Sequence, residues 1–121
     1  SLDSMNAKME SFMLDNTPLE TGINIYYPFV AAQLYNTGSD SAFVMDKIQI
    51  YLDVLEKNII DTEIKDDDPR DIEQLKYYQS VISYLKVKNY IKEENGLMEQ
   101  LNEMEEIIKE RLLEFPVIDF S

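Results

Sequence analysis

Carboxylates are the most numerous side chains in this sequence that could take part in chemistry. The chain has 24 Asp and Glu residues against 11 Lys and Arg, which gives a formal net charge of −13 at pH 7. Paired carboxylates can act as a general acid and base, and clustered ones can bind divalent cations. The carboxylates are densest in residues 61–73 and 99–114. These two segments are therefore the first candidates for a site.

The first acidic segment predicts a helix cap rather than a metal site. Asp66, Asp67 and Asp68 are consecutive, whereas an EF-hand loop alternates its acidic ligands around a central glycine and ends in a distant glutamate. Asp67 or Asp68 can instead accept hydrogen bonds from the first N–H groups of a helix that begins at Pro69. Asp71 would then lie in the first turn, where the helix dipole favours a negative charge.

The second acidic segment predicts an exposed helix face. Glutamates in helical bundles can hold two metal ions, but those sites add a Glu-x-x-His motif, and this chain has no histidine. Carboxylates in rows on one exposed face could instead imitate the phosphates of a nucleic acid. The candidate acidic surface consists of Asp66, Asp67, Asp68, Asp71, Glu99, Glu103, Glu106 and Glu110.

Cysteine is absent as well as histidine. This excludes disulfides, thiol nucleophiles, serine–histidine triads and the common transition-metal ligand sets. No pair among the remaining acids, lysines and tyrosines is marked out by its spacing. We therefore predict a protein that is not an enzyme and that uses no cofactor and no metal.

Lysines and tyrosines alternate between Gln74 and Lys92, where the sequence contains no acid. The residues concerned are Lys76, Tyr77, Tyr78, Tyr84, Lys86, Lys88, Tyr90 and Lys92. Such a stripe could contact nucleic acid, or it could meet an acidic face of the same bundle or of another copy. Lysines also suit the C-terminal end of a helix. Because the whole chain is acidic, we predict no direct nucleic-acid partner and no membrane partner.

Apolar residues recur every three or four positions along most of the chain, which is the period of amphipathic helices. We predict a single all-α domain over residues 1–121, a bundle of four to five helices. The last two helices, about 70–95 and 97–115, are expected to form an antiparallel hairpin around Gly96, with one long bent helix as the alternative. Residues 116–121 begin with the helix-breaking Pro116 and are expected to fold back or to form a flexible tail that docks on a partner.

The apolar faces indicate a role in binding other proteins. One face repeats at intervals of three and four residues from position 45 to 59, as in a coiled-coil seam. The candidate interaction residues are Met45, Ile48, Leu52, Leu55, Ile59, Tyr77, Tyr84, Phe115, Ile118 and Phe120. We predict a non-catalytic protein–protein interaction or assembly module, with a protein partner or a second copy of the chain.

The alternative function is an acidic decoy that occupies the nucleic-acid-binding cleft of a partner, as some acidic proteins of viruses and mobile elements do. No apolar run approaches the ~20 residues of a membrane span, and nothing resembles a cleavable signal peptide. The predicted location is therefore the cytoplasm.

Overall fold

The computed structural model describes residues 1–18, 23–38, 40–62 and 68–114, and these ranges are helical apart from their connections. The five α-helices are α1 (Leu2–Asp15), α2 (Tyr26–Asn36), α3 (Ser41–Asp61), α4 (Pro69–Lys86) and α5 (Leu97–Leu113), with a 3-10 turn over Glu93–Asn95. The prediction of an all-α bundle of four to five helices is confirmed.

The starts of α3 and α4 are fixed by aspartate caps. The Asp40 carboxylate accepts a hydrogen bond from the Phe43 N–H at 3.0 Å. The Asp68 carboxylate accepts one from the Arg70 N–H at 2.9 Å, and Pro69 is the first residue of α4. Each bond satisfies an N–H group that the helix itself leaves unpaired. The predicted cap before Pro69 is therefore confirmed at Asp68.

Helices α3, α4 and α5 form the main part of the bundle. Helix α5 packs against both α3 and α4. Gln49 in the first half of α3 donates a hydrogen bond to Gln100 in the first turn of α5 at 2.9 Å, and Arg111 near the end of α5 reaches the end of α3. These two helices therefore run in the same direction, and α4, which connects them along the chain, runs back in the opposite direction.

Helices α1 and α2 complete the bundle. Helix α1 packs against α2, and α2 packs against α3. Helix α2 begins at Tyr26, so that Pro28 lies in its first turn. All five helices contribute to one buried cluster. Its fully buried members include Met13, Ala31, Leu34, Val44, Ile48, Leu52, Leu55, Ile59, Leu75, Ile82, Leu85, Leu101, Met104 and Ile108.

The predicted end of α4 is wrong by about two turns. The helix ends at Lys86, and the chain from Val87 to Gly96 is a linker rather than the last part of a helix. Tyr90 and Ile91 continue the apolar period of α4, but they are buried as linker residues. The Asn89 side-chain amide donates to the Ala32 carbonyl at 3.2 Å. Bonding to α2 therefore replaces the continuation of α4.

The hairpin itself is confirmed, and the alternative of one long bent helix is wrong. Helices α4 and α5 pack against each other, and Lys86 Nζ lies 3.2 Å from Glu105 Oε1. Gly96 precedes α5 with φ at 76°, a left-handed conformation that glycine adopts without a steric penalty. Gly96, where the turn was predicted, is thus the last residue of a longer connection between α4 and α5.

Candidate interaction surfaces

The apolar seam predicted on α3 is not a surface. Ile48, Leu52, Leu55 and Ile59 are each 0% exposed, and Met45 is half-buried at the edge of the core. These side chains pack inside the bundle because α5 and the other helices cover them. The spacing of three and four residues marks a buried face, and the residues that cover this face belong to the same chain rather than to a partner. These residues are therefore corrected from interaction residues to core residues.

Tyr77 and Tyr84, which were predicted to bind a partner, make most of their contacts within the fold. The Tyr77 hydroxyl donates a hydrogen bond to the Ile23 carbonyl at 2.8 Å, although 41% of the side chain is exposed. The Tyr84 ring is half-buried, and Lys88 Nζ lies 3.6 Å from its centroid. Both contacts stabilise this chain without a partner.

Two further tyrosine hydroxyls hold the first turn of α2 and the residues just before it. Tyr51 donates to the Asn24 carbonyl at 3.1 Å, and Tyr90 donates to the Pro28 carbonyl at 2.9 Å. Burial is the main cause that raises the pKa of Tyr51 and of Tyr90 above the ordinary value for tyrosine. Both phenols are therefore neutral donors at physiological pH. The sequence showed only that tyrosines alternate with lysines, and no local pattern identified the carbonyls they bind.

Three of the four lysines that alternate with these tyrosines, Lys86, Lys88 and Lys92, are likewise occupied. Lys86 pairs with Glu105, as expected if the stripe meets an acidic face of the same bundle. Lys88 lies over the Tyr84 ring, and Lys92 Nζ donates to the Tyr35 hydroxyl at 3.0 Å. The stripe is therefore divided among separate contacts.

Four glutamates form an exposed row along α5. Glu99, Glu103, Glu106 and Glu110 are all exposed and follow one another at intervals of four, three and four residues. At about 100° per residue, they fall within about 60° of the helix circumference. The buried side chains of α5 lie on the opposite side of the helix. They are Leu97, Leu101, Met104 and Ile108. We call the four glutamates the carboxylate row.

Few cations neutralise the carboxylate row. Lys109 Nζ lies 3.5 Å from Glu106 Oε1 and 3.7 Å from Glu105, which is outside the row. Arg111 points away, because its guanidinium donates to the Ile59 and Thr62 carbonyls at the end of α3. Across the described ranges, no side chain forms an ion pair with Glu99, Glu103 or Glu110.

The other acidic candidates do not extend the row. Asp68 caps α4 and also accepts hydrogen bonds from the Arg70 guanidinium, with the closest at 2.8 Å. Asp71 lies in the first turn of α4. Asp66 and Asp67 fall outside the described residues, as do the predicted tail contacts Phe115, Ile118 and Phe120.

One apolar helix face remains partly uncovered. Leu2, Met5, Met9 and Phe12 share one side of α1 at intervals of three and four residues. Leu2 is 56% exposed and Met5 60% exposed, whereas Met9 and Phe12 are half-buried. We call these four residues the α1 apolar face. Only its second half packs against the core.

A cavity of about 250 Å³ lies at the C-terminal end of α1. Its wall includes Tyr27 and Tyr51, whose rings are stacked with centroids 5.4 Å apart. The Tyr27 hydroxyl is buried and has no hydrogen-bond partner. Burial is the main cause that raises the pKa of Tyr27, and the nearby Thr17 hydroxyl opposes that shift in part.

The described residues contain neither a metal-binding cluster nor a membrane-spanning helix. No three acids in the described ranges come together in a way that could hold a metal ion. None of the helices that the structure describes combines the length and the apolar character needed to cross a bilayer.

Comparison with known proteins gave no relative, because no family model, curated protein or solved structure matches the chain. The function is therefore argued from the geometry.

Proposed function

We propose that this protein is a non-catalytic protein-interaction module that binds a basic surface of its partner through the carboxylate row on α5. The observation that carries this proposal is the alignment of Glu99, Glu103, Glu106 and Glu110 on one exposed side of a helix. The apolar seam on α3 cannot compete as a binding surface, since its residues are in the core.

Repulsion among the glutamates of the carboxylate row destabilises α5 in the free protein, and a basic partner would offset that repulsion. Like charges three or four residues apart on a helix destabilise it by about 0.2–0.5 kcal/mol per pair. A basic partner would turn that repulsion into attraction and would speed association through long-range steering. An exposed acidic face also keeps a protein soluble. The experiment below therefore separates position on the surface from total charge.

The form of binding that we favour is charge mimicry of a nucleic acid. The row places one carboxylate about every 5.5 Å along the helix axis, at 1.5 Å per residue. One strand of DNA places a phosphate about every 3.4 Å along its axis. A cleft that accepts a phosphate backbone would therefore find a similar but less dense line of charge, over a length of about 16 Å. The partner in this proposal is a nucleic-acid-binding protein whose cleft the row occupies.

The test compares three proteins as affinity baits under identical conditions. The row variant carries Glu99→Gln, Glu103→Gln, Glu106→Gln and Glu110→Gln. The charge-matched control carries Asp3→Asn, Glu10→Gln, Glu73→Gln and Glu94→Gln, which lie on other parts of the surface. A partner bound by wild type and control, but lost with the row variant, is the expected result.

The partner is then purified and its affinity measured over a range of salt concentrations. Binding should weaken steeply with salt for the wild type and less steeply for the row variant, and DNA should compete for the same cleft. The proposal is wrong if both variants lose the partner equally, because total charge would then explain binding.

A second candidate function is self-assembly through the α1 apolar face. The specific observation is that Leu2 and Met5 are more than half exposed on the same side as the packed residues Met9 and Phe12. Sedimentation at high micromolar concentration tests it. Met5→Gln should dissociate an oligomer, whereas Leu14→Gln, which is exposed on the opposite side of α1, should not. A monomeric wild-type protein would eliminate this candidate.

A further inference from the structure

The cavity at the end of α1 contains a buried polar group that the fold leaves unpaired. The Tyr27 side chain is 1% exposed, and its hydroxyl lies against the cavity without a hydrogen-bond partner. Buried hydroxyls without partners destabilise a fold, so those that persist need an explanation. The polar residues around the cavity are Asp15, Asn16, Thr17, Asn24, Tyr27 and Tyr51.

Several of these side chains carry an oxygen that can accept a hydrogen bond from a ligand. The Thr17 hydroxyl donates to the Met13 carbonyl at 2.7 Å. The Asn16 amide donates to the Phe12 carbonyl at 2.8 Å. The Tyr51 hydroxyl donates to the Asn24 carbonyl at 3.1 Å. The hydroxyl hydrogens of Thr17 and Tyr51 are therefore committed to the backbone, and their oxygens, like the Asn16 side-chain oxygen, can accept a hydrogen bond.

The same end of α1 is electrically negative. Asp15 contributes a carboxylate, and the C-terminal end of a helix carries a partial negative charge. The last turn of α1 contains no basic residue. Among the residues that the structure describes, no cation pairs with Asp15. An anionic ligand is therefore disfavoured, and a ligand rich in hydrogen-bond donors is favoured.

We propose that this cavity binds a primary ammonium group. Such a group has one positive charge for Asp15 and three N–H donors, one of which the unpaired Tyr27 oxygen can accept. The ammonium can belong to a small free amine or to the lysine side chain of a protein, and the experiment distinguishes them. The site is separate from the carboxylate row and does not depend on the function proposed for that row.

The experiment follows backbone amide chemical shifts of the full chain during titration at constant ionic strength. The probes are methylammonium, butylammonium, tetramethylammonium and N-acetyl-lysine methylamide. Saturable shifts at residues 15–17 and 24–27 are expected with the first two probes and not with tetramethylammonium, which has no N–H group. Tighter binding of the lysine derivative than of butylammonium identifies a protein lysine as the source, and weaker binding identifies a free amine.

Three variants determine whether the effect belongs to the cavity. Asp15→Asn should weaken methylammonium binding about tenfold, since it removes the only carboxylate of the wall. Tyr27→Phe removes one oxygen, keeps the stacked ring and should also weaken binding. Asp3→Asn makes the same charge change at the other end of α1 and should leave the affinity unchanged.

Several results would overturn the proposal. One is the absence of saturable shifts, and another is equal binding of tetramethylammonium. Equal weakening by Asp15→Asn and Asp3→Asn would show general attraction of cations to an acidic protein. Unchanged binding in a folded Tyr27→Phe variant would show that the hydroxyl is only a packing defect.

Discussion

Tyrosine hydroxyls act in this molecule as donors to a single short segment of backbone. Tyr51, Tyr77 and Tyr90 come from α3, α4 and the linker after α4, and their acceptors are the carbonyls of Asn24, Ile23 and Pro28. Loss of such a hydroxyl removes a hydrogen bond from the folded state, and the cost is larger where the acceptor is buried. The Tyr90 bond is the most buried of the three and should matter most.

Tyr90→Phe tests this inference at the residue scale. The change removes only the hydroxyl, and the buried Pro28 carbonyl then has lost its donor. We expect the free energy of unfolding to fall by about 1–2 kcal/mol in urea denaturation. Tyr26→Phe is the control, since Tyr26 is 68% exposed, and it should change stability by less than about 0.5 kcal/mol. Equal effects of the two changes would contradict the role given to Tyr90.

The same tyrosines predict a loss of stability at high pH. Burial raises the folded-state pKa of Tyr51 and Tyr90 above the ordinary value of 10.0, which is also the value expected for the unfolded chain. Above that pH the unfolded chain releases protons that the folded chain still holds. Their contribution is therefore complete below about pH 10 and decreases by about 1.4 kcal/mol per pH unit for each tyrosine.

Urea denaturation from neutral pH to beyond pH 10 measures this dependence. The wild-type free energy of unfolding should begin to fall near pH 10, and the slope should be shallower in Tyr90→Phe because one ionising group is missing. An identical slope in the two proteins would show that Tyr90 does not contribute.

Residue roles of this kind could not be predicted from the sequence. The alternation of lysine and tyrosine after Gln74 was visible, but the acceptors lie more than fifty residues away for Tyr77 and Tyr90. The cap at Asp68 was predictable because donor, acceptor and Pro69 are neighbours in the chain. Side-chain chemistry was therefore predictable where it is local and hidden where it depends on tertiary contacts.

At the scale of elements, the end of α3 depends on a side chain from α5. The Arg111 guanidinium donates to the carbonyls of Ile59 and Thr62, and it approaches that of Ile60 at 3.4 Å. The last carbonyls of a helix have no partner within it and carry a partial negative charge. Arg111 supplies both the hydrogen bonds and the positive charge, so it joins the ends of two parallel helices.

Arg111→Ala should therefore expose this helix end to local opening. We expect the free energy of unfolding to fall by about 1.5–3 kcal/mol, the range for hydrogen bonds that involve a charged group. Hydrogen exchange of the α3 amides near Asn58 should accelerate. Lys109→Ala is the matched control, because Lys109 forms only exposed pairs with glutamates, and its effect should stay below about 1 kcal/mol. Similar exchange rates in both variants would disprove the capping role.

Element type was predictable from the sequence, and element partnership was not. The spacing of Ile48, Leu52 and Leu55 showed that α3 has an apolar face, yet the same spacing suits a coiled-coil partner and an internal core. The end of α4 was predicted too late because Tyr90 and Ile91 continue the apolar period of the helix, although they are buried residues of the linker. In both cases a periodic apolar pattern shows that residues are buried and leaves open what buries them.

At the scale of the whole molecule, the net charge of −13 acts against the compact state. The carboxylate row concentrates part of that repulsion in three neighbouring pairs along α5. Replacing the four glutamates of the row by glutamine should raise the free energy of unfolding at low salt by about 1 kcal/mol relative to the charge-matched control.

Urea denaturation of both quadruple variants at increasing sodium chloride checks this expectation. The advantage of the row variant should disappear near 1 M salt, where the Debye length is about 3 Å. A row variant that is less stable than the control would show that the glutamates stabilise the fold, and it would remove the support that repulsion gives to a binding role. A variant that gains stability and loses its partner would link the row to function.

The tyrosine bonds also bear on the order in which the chain can fold as it is synthesised. Helices α1 and α2 are made before α3, α4 and α5, but the start of α2 and the residues just before it are held by donors 27, 54 and 62 residues further along. The first two helices thus emerge from the ribosome before all the residues that anchor them have emerged. Long-range contacts form late because closing a long loop costs entropy before it brings any gain. Helices α1 and α2 can therefore complete these tertiary contacts only after the linker that carries Tyr90 has emerged.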